Sequence, residues 1–502
     1  MRTLLLRPEI LLVAFIGLVL RFWILLTPSG VLLADEAVTG LSALDVSQAH
    51  FGILIPESYY TALTESYLFS PFIQFFGAHV VPLKLMGVVL WFAASLAGAA
   101  LGARLGGTRS AVTAFSLLWL VPGAIMVVST RAYLGYPGGV LVVLCSLLAL
   151  VRIVQEGLTR RRVVIAGFLI GLAFMMHPIY IGALAPAALV VTWRHRRAGR
   201  EWYLPLAVGF VVGCGPWLWW NLRHHFASLT ERDTDNSTYV GRVKGYFSGI
   251  LPRDLGLKEP NGTWTPNRPV GLLLVLVFLA GLVWAILRLW RSGTAGRVLA
   301  VPAVASWFAL GVFAHTSFVD DGRYGIMPFP ICVVVLAVAI GRIGAAGPAT
   351  AADRDADVVT RPVALARRAW VPVAVVAAWL LVLVLPYQVR VIGTKLGDPN
   401  EFTTSVARAL DAHGITNLTG DYFDVLQVSY LTEGRIATKV FYPLPVRYPR
   451  LEQRVSSAAP GRVAVLFSVG AERPEELKLP VEQYDKIDLP GHTLYVPKSG
   501  GS

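Results

Sequence analysis

Long apolar segments, each separated from the next by a polar stretch, constrain this 502-residue chain more than any other feature of its sequence. A membrane-spanning helix needs about 20 predominantly apolar residues. Because a backbone in lipid must satisfy its own hydrogen bonds, such segments are expected to be helical. The sequence predicts about eleven spans, over residues 8–27, 82–103, 110–129, 137–156, 163–178, 179–193, 203–222, 269–290, 298–316, 326–343 and 369–387.

The composition fits a polytopic membrane protein better than a soluble one. Charged residues make up 15% of the chain and hydrophobic residues 55%, whereas about a quarter of a soluble domain is charged. The three cysteines, Cys145, Cys214 and Cys332, lie within apolar runs, where thiols behave as small hydrophobic groups. Their spacing matches neither a disulfide framework nor a metal site, and we predict no cofactor.

Basic residues are concentrated in short segments between the apolar runs. The formal net charge is +13, and much of it lies in Arg160–Arg162, Arg194–Arg200 and Arg367–Arg368. Basic clusters that alternate with spans follow the positive-inside rule and do not build a nucleic-acid-binding face. With an odd number of spans, the rule predicts a cytoplasmic N-terminus and an external C-terminus. High usage of Ala, Arg and Val is typical of a GC-rich bacterium, so the expected location is a bacterial plasma membrane.

Residues 28–81, residues 223–268 and the C-terminal tail are then expected outside the cell. The tail combines strand-like runs with helical patterns such as Glu401–Ala412, which ends two residues before Gly414. We therefore predict a transmembrane domain over residues 1–390 and a small extracytoplasmic α/β domain over residues 391–502. The predicted strands cover residues 415–418, 437–442, 463–468 and 492–496.

Two adjacent acids, Asp35 and Glu36, follow the first predicted span almost at once. Acids are common in the first turn of a helix, where they complement the helix dipole, and the residues from Ala37 to Ser47 have helical character. A carboxylate just outside a membrane is also well placed to act as a general base on a hydroxyl group. Spacing alone leaves both interpretations open and favours the helix start.

Cations at the predicted outer ends of spans form a second candidate group. Lys84, Arg131 and Arg323 lie where the positive-inside rule disfavours basic residues. A lipid phosphate could pair with them, since arginine binds phosphate bidentately and lysine binds it as a point charge; ordinary headgroup contact is the alternative. Arg21, inside the first span, either marks a functional site, snorkels to the interface or pairs with a backbone carbonyl group.

The segment Asp320–Tyr324 is predicted to form a short outer loop. A turn explains its Asp-Gly pair. Asp320 and Asp321 could also bind a divalent cation, but two neighbouring aspartates are a weak metal signature. Histidines near the predicted outer boundaries, such as His177 and His315, are more typical of interfacial residues than of ligands. We therefore assign no metal.

Several short motifs occur in an order that is found in a known superfamily. These motifs are Asp35-Glu36 after an Arg-containing span, Ser70-Pro71-Phe72, Pro82-Leu83-Lys84-Leu85, Ser129-Thr130-Arg131-Ala132, Gly322-Arg323-Tyr324 with Pro328, and Asp421-Tyr422 with Gly434-Arg435-Ile436. On these residues the chain resembles the GT-C superfamily of membrane glycosyltransferases. It is similar in particular to bacterial proteins related to protein O-mannosyltransferases and to the lipid A aminoarabinose transferase.

The resemblance implies a polyprenyl-phosphate-linked monosaccharide donor and an inverting transfer in the outer half of the membrane. By this analogy Asp35 deprotonates the acceptor hydroxyl group, and Glu36 shapes the loop or binds sugar hydroxyl groups. A set of polar residues would bind the donor phosphate and stabilise its charge as it leaves. These residues are Lys84, Arg131, Arg323 and Tyr324. The implied partners are membrane lipids, the lipid-linked donor and a cell-envelope glycan or glycolipid acceptor.

One departure from the superfamily pattern disfavours a protein acceptor. Protein mannosyltransferases usually carry His-Pro-Pro-Leu where this chain has Phe69-Ser70-Pro71-Phe72, although Glu57 or Glu65 could replace the histidine as an acceptor contact. A transporter or flippase of a lipid-linked sugar, a protein O-mannosyltransferase and a non-catalytic envelope protein are the alternatives. Few acids lie in the predicted spans and no internal repeat is found, which favours an enzyme over a transporter.

Overall fold

Apolar helices make up most of the computed structural model. The model describes residues 7–55, 58–133, 135–230, 237–312, 322–343, 370–441, 447–471 and 479–498. The helices of its membrane part are Pro8–Leu25, Val80–Trp119, Tyr136–Glu156, Arg160–Met176, Ile181–Arg194, Arg200–Gly213, Gly215–Arg223, Arg268–Arg291, Thr294–Leu310, Pro328–Gly341 and Val371–Ile392.

In the part of the chain that the structure describes, every predicted span overlaps one or two of these helices. Within the described residues, five helices are long and apolar enough to cross a membrane. The pair Arg200–Gly213 and Gly215–Arg223, which is bent by 67°, raises that number to six. Further apolar helices such as Thr294–Leu310 and Pro328–Gly341 are shorter. The prediction of a mainly helical polytopic membrane protein is confirmed.

Two predicted spans, residues 82–103 and 110–129, form one run of helix, Val80–Trp119, with a break at Gly107. At Gly107 φ is 76° and ψ is −166°, a backbone conformation that favours glycine. The second half ends at Trp119, ten residues before the predicted boundary, and a short helix, Gly123–Val128, follows. The last carbonyl groups of the longer helix therefore have no donors within it and can accept hydrogen bonds from side chains.

Arg21 uses one of these carbonyl groups. It is fully buried, and its guanidinium donates to the carbonyl oxygens of Trp119 at 2.9 Å and Gly17 at 3.0 Å, and to Ser129 Oγ at 3.1 Å. The guanidinium carbon also lies 3.8 Å from the centre of the Trp119 ring. Of the three interpretations left open for Arg21, the structure favours pairing with carbonyl groups. Arg21 joins the N-terminal helix to the end of the next one.

Two Gly-x-x-x-Gly motifs bring a pair of helices into close contact. A Cβ atom at Gly167 or Gly171 would lie 2.2 Å from a carbonyl oxygen of Arg200–Gly213. In return, a Cβ atom at Gly209 or Gly213 would lie 2.2 Å from a carbonyl oxygen of Arg160–Met176. Small residues at this spacing let helices in a membrane approach closely. Both motifs stand in the sequence, but the length and hydropathy of an apolar segment do not reveal which helix it packs against.

The two long loops, residues 28–81 and 223–268, are largely ordered as short elements. The first contains the helices Ala34–Ser47 and Thr64–Phe76 and an antiparallel hairpin of β1 (Leu54–Ile55) and β2 (Ser58–Ala62). The second contains consecutive helical segments, Tyr239–Gly245, Tyr246–Ile250 and Leu251–Asp254. The remaining short helical segments before the C-terminal region are Pro28–Gly30, Pro178–Tyr180, Arg196–Ala198, Ala227–Thr230 and Arg323–Ile326.

The C-terminal region contains a five-stranded sheet in the order β4-β3-β5-β7-β6. Strands β4, β3 and β5 run parallel, and β7 pairs antiparallel with both β5 and β6. The strands are β3 (Asn417–Gly420), β4 (Ala437–Val440), β5 (Ala464–Ser468), β6 (Tyr484–Leu489) and β7 (His492–Pro497), and the helices are Glu401–Ala412, Tyr422–Leu431 and Pro449–Ser456. The predicted α/β character is confirmed, and β6 is the strand that was not predicted.

This C-terminal region packs directly on the first long loop. Buried side chains of the helix Ala34–Ser47 and of the helix Tyr422–Leu431 belong to one hydrophobic cluster. At the closest point, the ring of Tyr430 lies against the backbone of Gly40, where a Cβ atom would be 2.3 Å from ring atom Cε2. The first loop and the C-terminal region therefore share a core.

We expect the substitution Gly40→Ala to weaken this packing. The added methyl group would overlap the buried ring of Tyr430, and overpacking of this kind costs about 1–3 kcal/mol. Limited proteolysis of the detergent-purified protein should then release the C-terminal region faster. The control is Gly397→Ala, because nothing lies within 4 Å of a Cβ atom at that position. Equal proteolysis rates for the two variants would contradict the close contact.

Candidate active site

Asp35 lies in the first turn of the helix Ala34–Ser47, immediately after the segment that leaves the N-terminal membrane helix. Both oxygens of its carboxylate accept hydrogen bonds. Arg323 Nη1 lies 3.1 Å from Oδ2, and the hydroxyl group of Tyr422 lies 2.7 Å from Oδ1. The Asp35 side chain is still 22% exposed. It is thus a charge-paired carboxylate that solvent can reach.

Arg323 reaches Asp35 from a different part of the chain, the short helical turn Arg323–Ile326 before the helix Pro328–Gly341. The buried Asp254, from the second long loop, lies directly under this turn: a Cβ atom at Gly325 would be 1.7 Å from its Oδ2. Only a glycine allows the turn to approach this carboxylate so closely. The second long loop therefore packs directly against the turn that carries Arg323.

Tyr422 is a site residue to which the sequence assigned no role, although it stands in one of the motifs. It lies in the first turn of the helix Tyr422–Leu431, whose N-terminus is capped by Asp421. Burial, reinforced by the negative charge of Asp35, raises the pKa of the Tyr422 hydroxyl group well above its ordinary value. The phenol is therefore a neutral hydrogen-bond donor to Asp35 at physiological pH.

Glu36, next to Asp35, is in a very different environment. It is fully buried, and its Oε2 accepts from Lys84 Nζ at 2.7 Å and from the backbone N–H of Leu33 at 3.1 Å. Its Oε1 accepts from the backbone N–H of Ala132 at 3.2 Å. Lys84 also donates to the carbonyl oxygen of Val31 at 3.1 Å. In this arrangement both side chains stabilise the loop, and their predicted roles in substrate binding stay predictions.

Arg131 and Tyr324 are the two remaining predicted residues of the site. Arg131 is nearly buried, and its guanidinium donates to the hydroxyl group of Tyr133 at 3.1 Å and to the carbonyl oxygen of Ser29 at 3.3 Å. Tyr324 is buried, with the guanidinium carbon of Arg323 5.2 Å from the centre of its ring. Of the predicted residues, the structure thus brings Asp35 and Arg323 into direct contact, and separately Glu36 and Lys84.

Glu65, predicted as an alternative acceptor contact, is buried in the protein. Its two carboxylate oxygens accept hydrogen bonds from the backbone N–H groups of Gly135 at 3.1 Å and Gly138 at 2.8 Å. Burial raises the pKa of Glu65 to about 7. Glu65 therefore caps the helix Tyr136–Glu156 and ties the first loop to it. Glu57 lies outside the described residues.

Among the residues that the structure describes, no group of three or more His, Cys, Asp and Glu side chains could hold a metal ion. Asp320, Asp321 and His315 lie outside the described residues.

A cavity of about 750 Å³ lies at the C-terminal end of the N-terminal helix, next to Lys84. Its lining includes Leu25 and Leu26 from that helix, Lys84, and Asn400 from the C-terminal region. A second, apolar groove of about 520 Å³ shares Leu26 and runs along Phe15 and Phe22 of the same helix. Asp35 does not line either of them.

Comparisons with solved structures identify the architecture. The crystal structure of ArnT from Cupriavidus metallidurans in the apo state aligns over 97% of this chain and 97% of its own, with a TM-score of 0.63 and 13% sequence identity. The apo oligosaccharyltransferase of Archaeoglobus fulgidus aligns over 98% of this chain and 74% of its own, with a TM-score of 0.51 and 14% identity. This chain has the GT-C fold.

The archaeal oligosaccharyltransferase AglB from the same organism, in complex with an inhibitory peptide and a dolichol-phosphate, has a TM-score of 0.50 and 14% identity over 98% of this chain and 74% of its own. No family model matches the sequence. No curated protein matches it either. At these identities the likeness concerns the GT-C fold, and the chemistry must be argued from the side chains.

We expect Lys84→Met to destabilise the protein, because it leaves the buried carboxylate of Glu36 without its cation. Breaking one partner of a buried ion pair costs about 3–5 kcal/mol, whereas replacing both partners is often close to neutral. The thermal unfolding midpoint in detergent should therefore fall for Lys84→Met and largely recover in the double variant Glu36→Gln/Lys84→Met. Lys395→Met, at an exposed lysine, is the control.

A Lys84→Met variant as stable as the parent would contradict this structural role. If that stable variant also lost affinity for a polyprenyl phosphate, the role of Lys84 as a phosphate ligand would be favoured instead.

Proposed function

We propose that this protein is an integral-membrane glycosyltransferase with Asp35 as its general base. It moves a monosaccharide from a polyprenyl-phosphate donor to a glycan or glycolipid of the cell envelope, on the outer side of a bacterial plasma membrane. The observation that carries the proposal is the Asp35 carboxylate, partly exposed at a membrane exit and paired with Arg323 from a distant helix turn. The GT-C fold, found also in ArnT and in an oligosaccharyltransferase, supports the reaction class.

The reaction requires a base on one side of the sugar and a leaving phosphate on the other. Asp35 removes the proton of the acceptor hydroxyl group while that oxygen forms a bond to the anomeric carbon. The bond from the anomeric carbon to the phosphate oxygen breaks, and the polyprenyl phosphate leaves with the bonding electrons. Attack opposite the leaving group inverts the anomeric configuration. Asp35 then returns its proton to water.

In the proposal Arg323 interacts in turn with the general base and with the phosphate of the donor. In the structure its guanidinium is paired with Asp35 Oδ2 at 3.1 Å. The phosphate of the donor is an anion that competes for the same guanidinium, since arginine binds phosphate strongly through two hydrogen bonds. Donor binding would then free Oδ2 to accept the proton of the acceptor. The charge that develops on the leaving phosphate would be stabilised by Arg323.

The proposal assigns roles to the other predicted residues as well. In the proposal Tyr324 and Arg131 complete the phosphate-binding face, while Glu36 and Lys84 hold the first loop in place. The apolar groove along Phe15 and Phe22 offers a path for a prenyl chain up to the membrane surface, because such a chain prefers apolar surroundings. The C-terminal region and the loop over residues 223–268 would shape the acceptor cleft.

The test is sugar transfer in membranes supplied with radiolabelled polyprenyl-phosphate sugars, for the parent protein and for Asp35→Asn. Loss of a general base typically lowers the rate about 10²–10⁴-fold, and we expect a loss of this size with one donor. Asp411→Asn is the control, because Asp411 is likewise a partly exposed aspartate paired with one arginine, Arg435, and neither residue is assigned a role at the site.

Equal transfer by the parent and by Asp35→Asn, at equal expression, would remove Asp35 from the mechanism. Absence of transfer from every donor, together with movement of a lipid-linked sugar across the membrane, would identify a flippase.

A further inference from the structure

The C-terminal region contacts the proposed general base through the side chain of Tyr422. We infer that Tyr422 is a positioning residue for the general base, so that the C-terminal region completes the active site. This inference rests on the proposed function. It assigns to the C-terminal region a role beyond shaping the acceptor cleft.

The contact between Tyr422 and Asp35 has the geometry that positioning requires. The hydroxyl group of Tyr422 lies 2.7 Å from Asp35 Oδ1, a short hydrogen bond to a charged acceptor. The side chain of Tyr422 is itself buried, and its ring packs edge-on against Phe423 at 5.1 Å. A buried phenol at the start of a capped helix has little freedom, so its hydroxyl group fixes the position of the oxygen that it contacts.

The two oxygens of Asp35 have different partners and therefore different tasks. Arg323 binds Oδ2, and in the proposed reaction the donor phosphate replaces Oδ2 as the partner of the Arg323 guanidinium. The hydrogen bond from Tyr422 to Oδ1 is independent of that exchange, because it comes from the C-terminal region and not from the membrane helices. Tyr422 would therefore keep the Asp35 carboxylate oriented while Oδ2 receives the proton. Such preorganisation lowers the activation free energy of sugar transfer.

Other contacts hold the C-terminal region firmly at this place. The hydroxyl group of Tyr430 donates to the carbonyl oxygen of His79 at 3.2 Å, and the backbone N–H of Ala78 donates to Glu433 Oε1 at 3.2 Å. Farther along the helix of Asp35, Arg450 pairs with Asp45 at 2.6 Å. These contacts anchor the C-terminal region without touching Asp35. The side chains that hold the C-terminal region in place thus differ from the side chain that positions Asp35.

This separation provides a matched pair of variants. Tyr422→Phe removes the hydroxyl group that contacts Asp35, whereas Tyr430→Phe removes a hydroxyl group from the same helix that serves docking alone. The full-length protein is purified in detergent, and kcat and KM for donor and acceptor are measured with the radiolabelled donor that supports transfer. We expect Tyr422→Phe to lower kcat about ten- to a hundredfold, the worth of a hydrogen bond to a charged group. KM should change little, and Tyr430→Phe should resemble the parent.

Three outcomes would overturn the inference while leaving Asp35 as the base. These are an unchanged kcat for Tyr422→Phe, an equal fall in kcat for the two variants, and a rise in the KM of the acceptor at unchanged kcat. Limited proteolysis of both variants checks that the C-terminal region stays docked. If Asp35→Asn in the same assay transfers sugar as the parent does, the proposed function fails at the base, and the positioning role fails with it.

Discussion

The buried ion pair between Glu36 and Lys84 is the interaction on which the proposed site depends. The Glu36 carboxylate accepts hydrogen bonds from three parts of the chain. Their donors are Lys84 in the next membrane helix and the backbone N–H groups of Leu33 and Ala132. A charge in such surroundings is stable only while each of its oxygens has partners. These contacts therefore hold the helix that carries Asp35 against the membrane helices, while the Asp35 side chain stays partly exposed.

Two neighbouring carboxylates thus have opposite environments. Glu36 is fully buried and satisfied by an ammonium and two backbone groups, whereas Asp35 is partly exposed and held by Arg323 and Tyr422. The buried group can stabilise the fold but cannot readily exchange a proton with a substrate. Asp35 is exposed enough for its carboxylate to exchange a proton with a substrate. Since Arg323 belongs to the membrane part and Tyr422 to the C-terminal region, both parts bind the carboxylate of Asp35, beside the hydrophobic core that the first loop and the C-terminal region share.

The features that local sequence governs could be predicted, and those that depend on distant contacts could not. Apolar length predicted the helices, and the position of Asp35 after a span made it a candidate. Tyr422 lies 387 residues from Asp35, and nothing in its own neighbourhood reports that pairing. Strand β6 was missed because it is an edge strand on which exposed residues predominate, and such a strand lacks the apolar alternation that marks a half-buried one.

An experimental structure of the full-length protein with a polyprenyl phosphate bound would test the proposed exchange at Asp35 most directly. We predict that the phosphate lies within hydrogen-bonding distance of the Arg323 guanidinium, that the contact between Arg323 and Asp35 Oδ2 opens, and that the hydrogen bond from Tyr422 to Oδ1 remains. A phosphate bound elsewhere, with the pair of Asp35 and Arg323 intact, would contradict the proposal. In that case the carboxylate would be a structural partner of Arg323, and the base would have to be another residue.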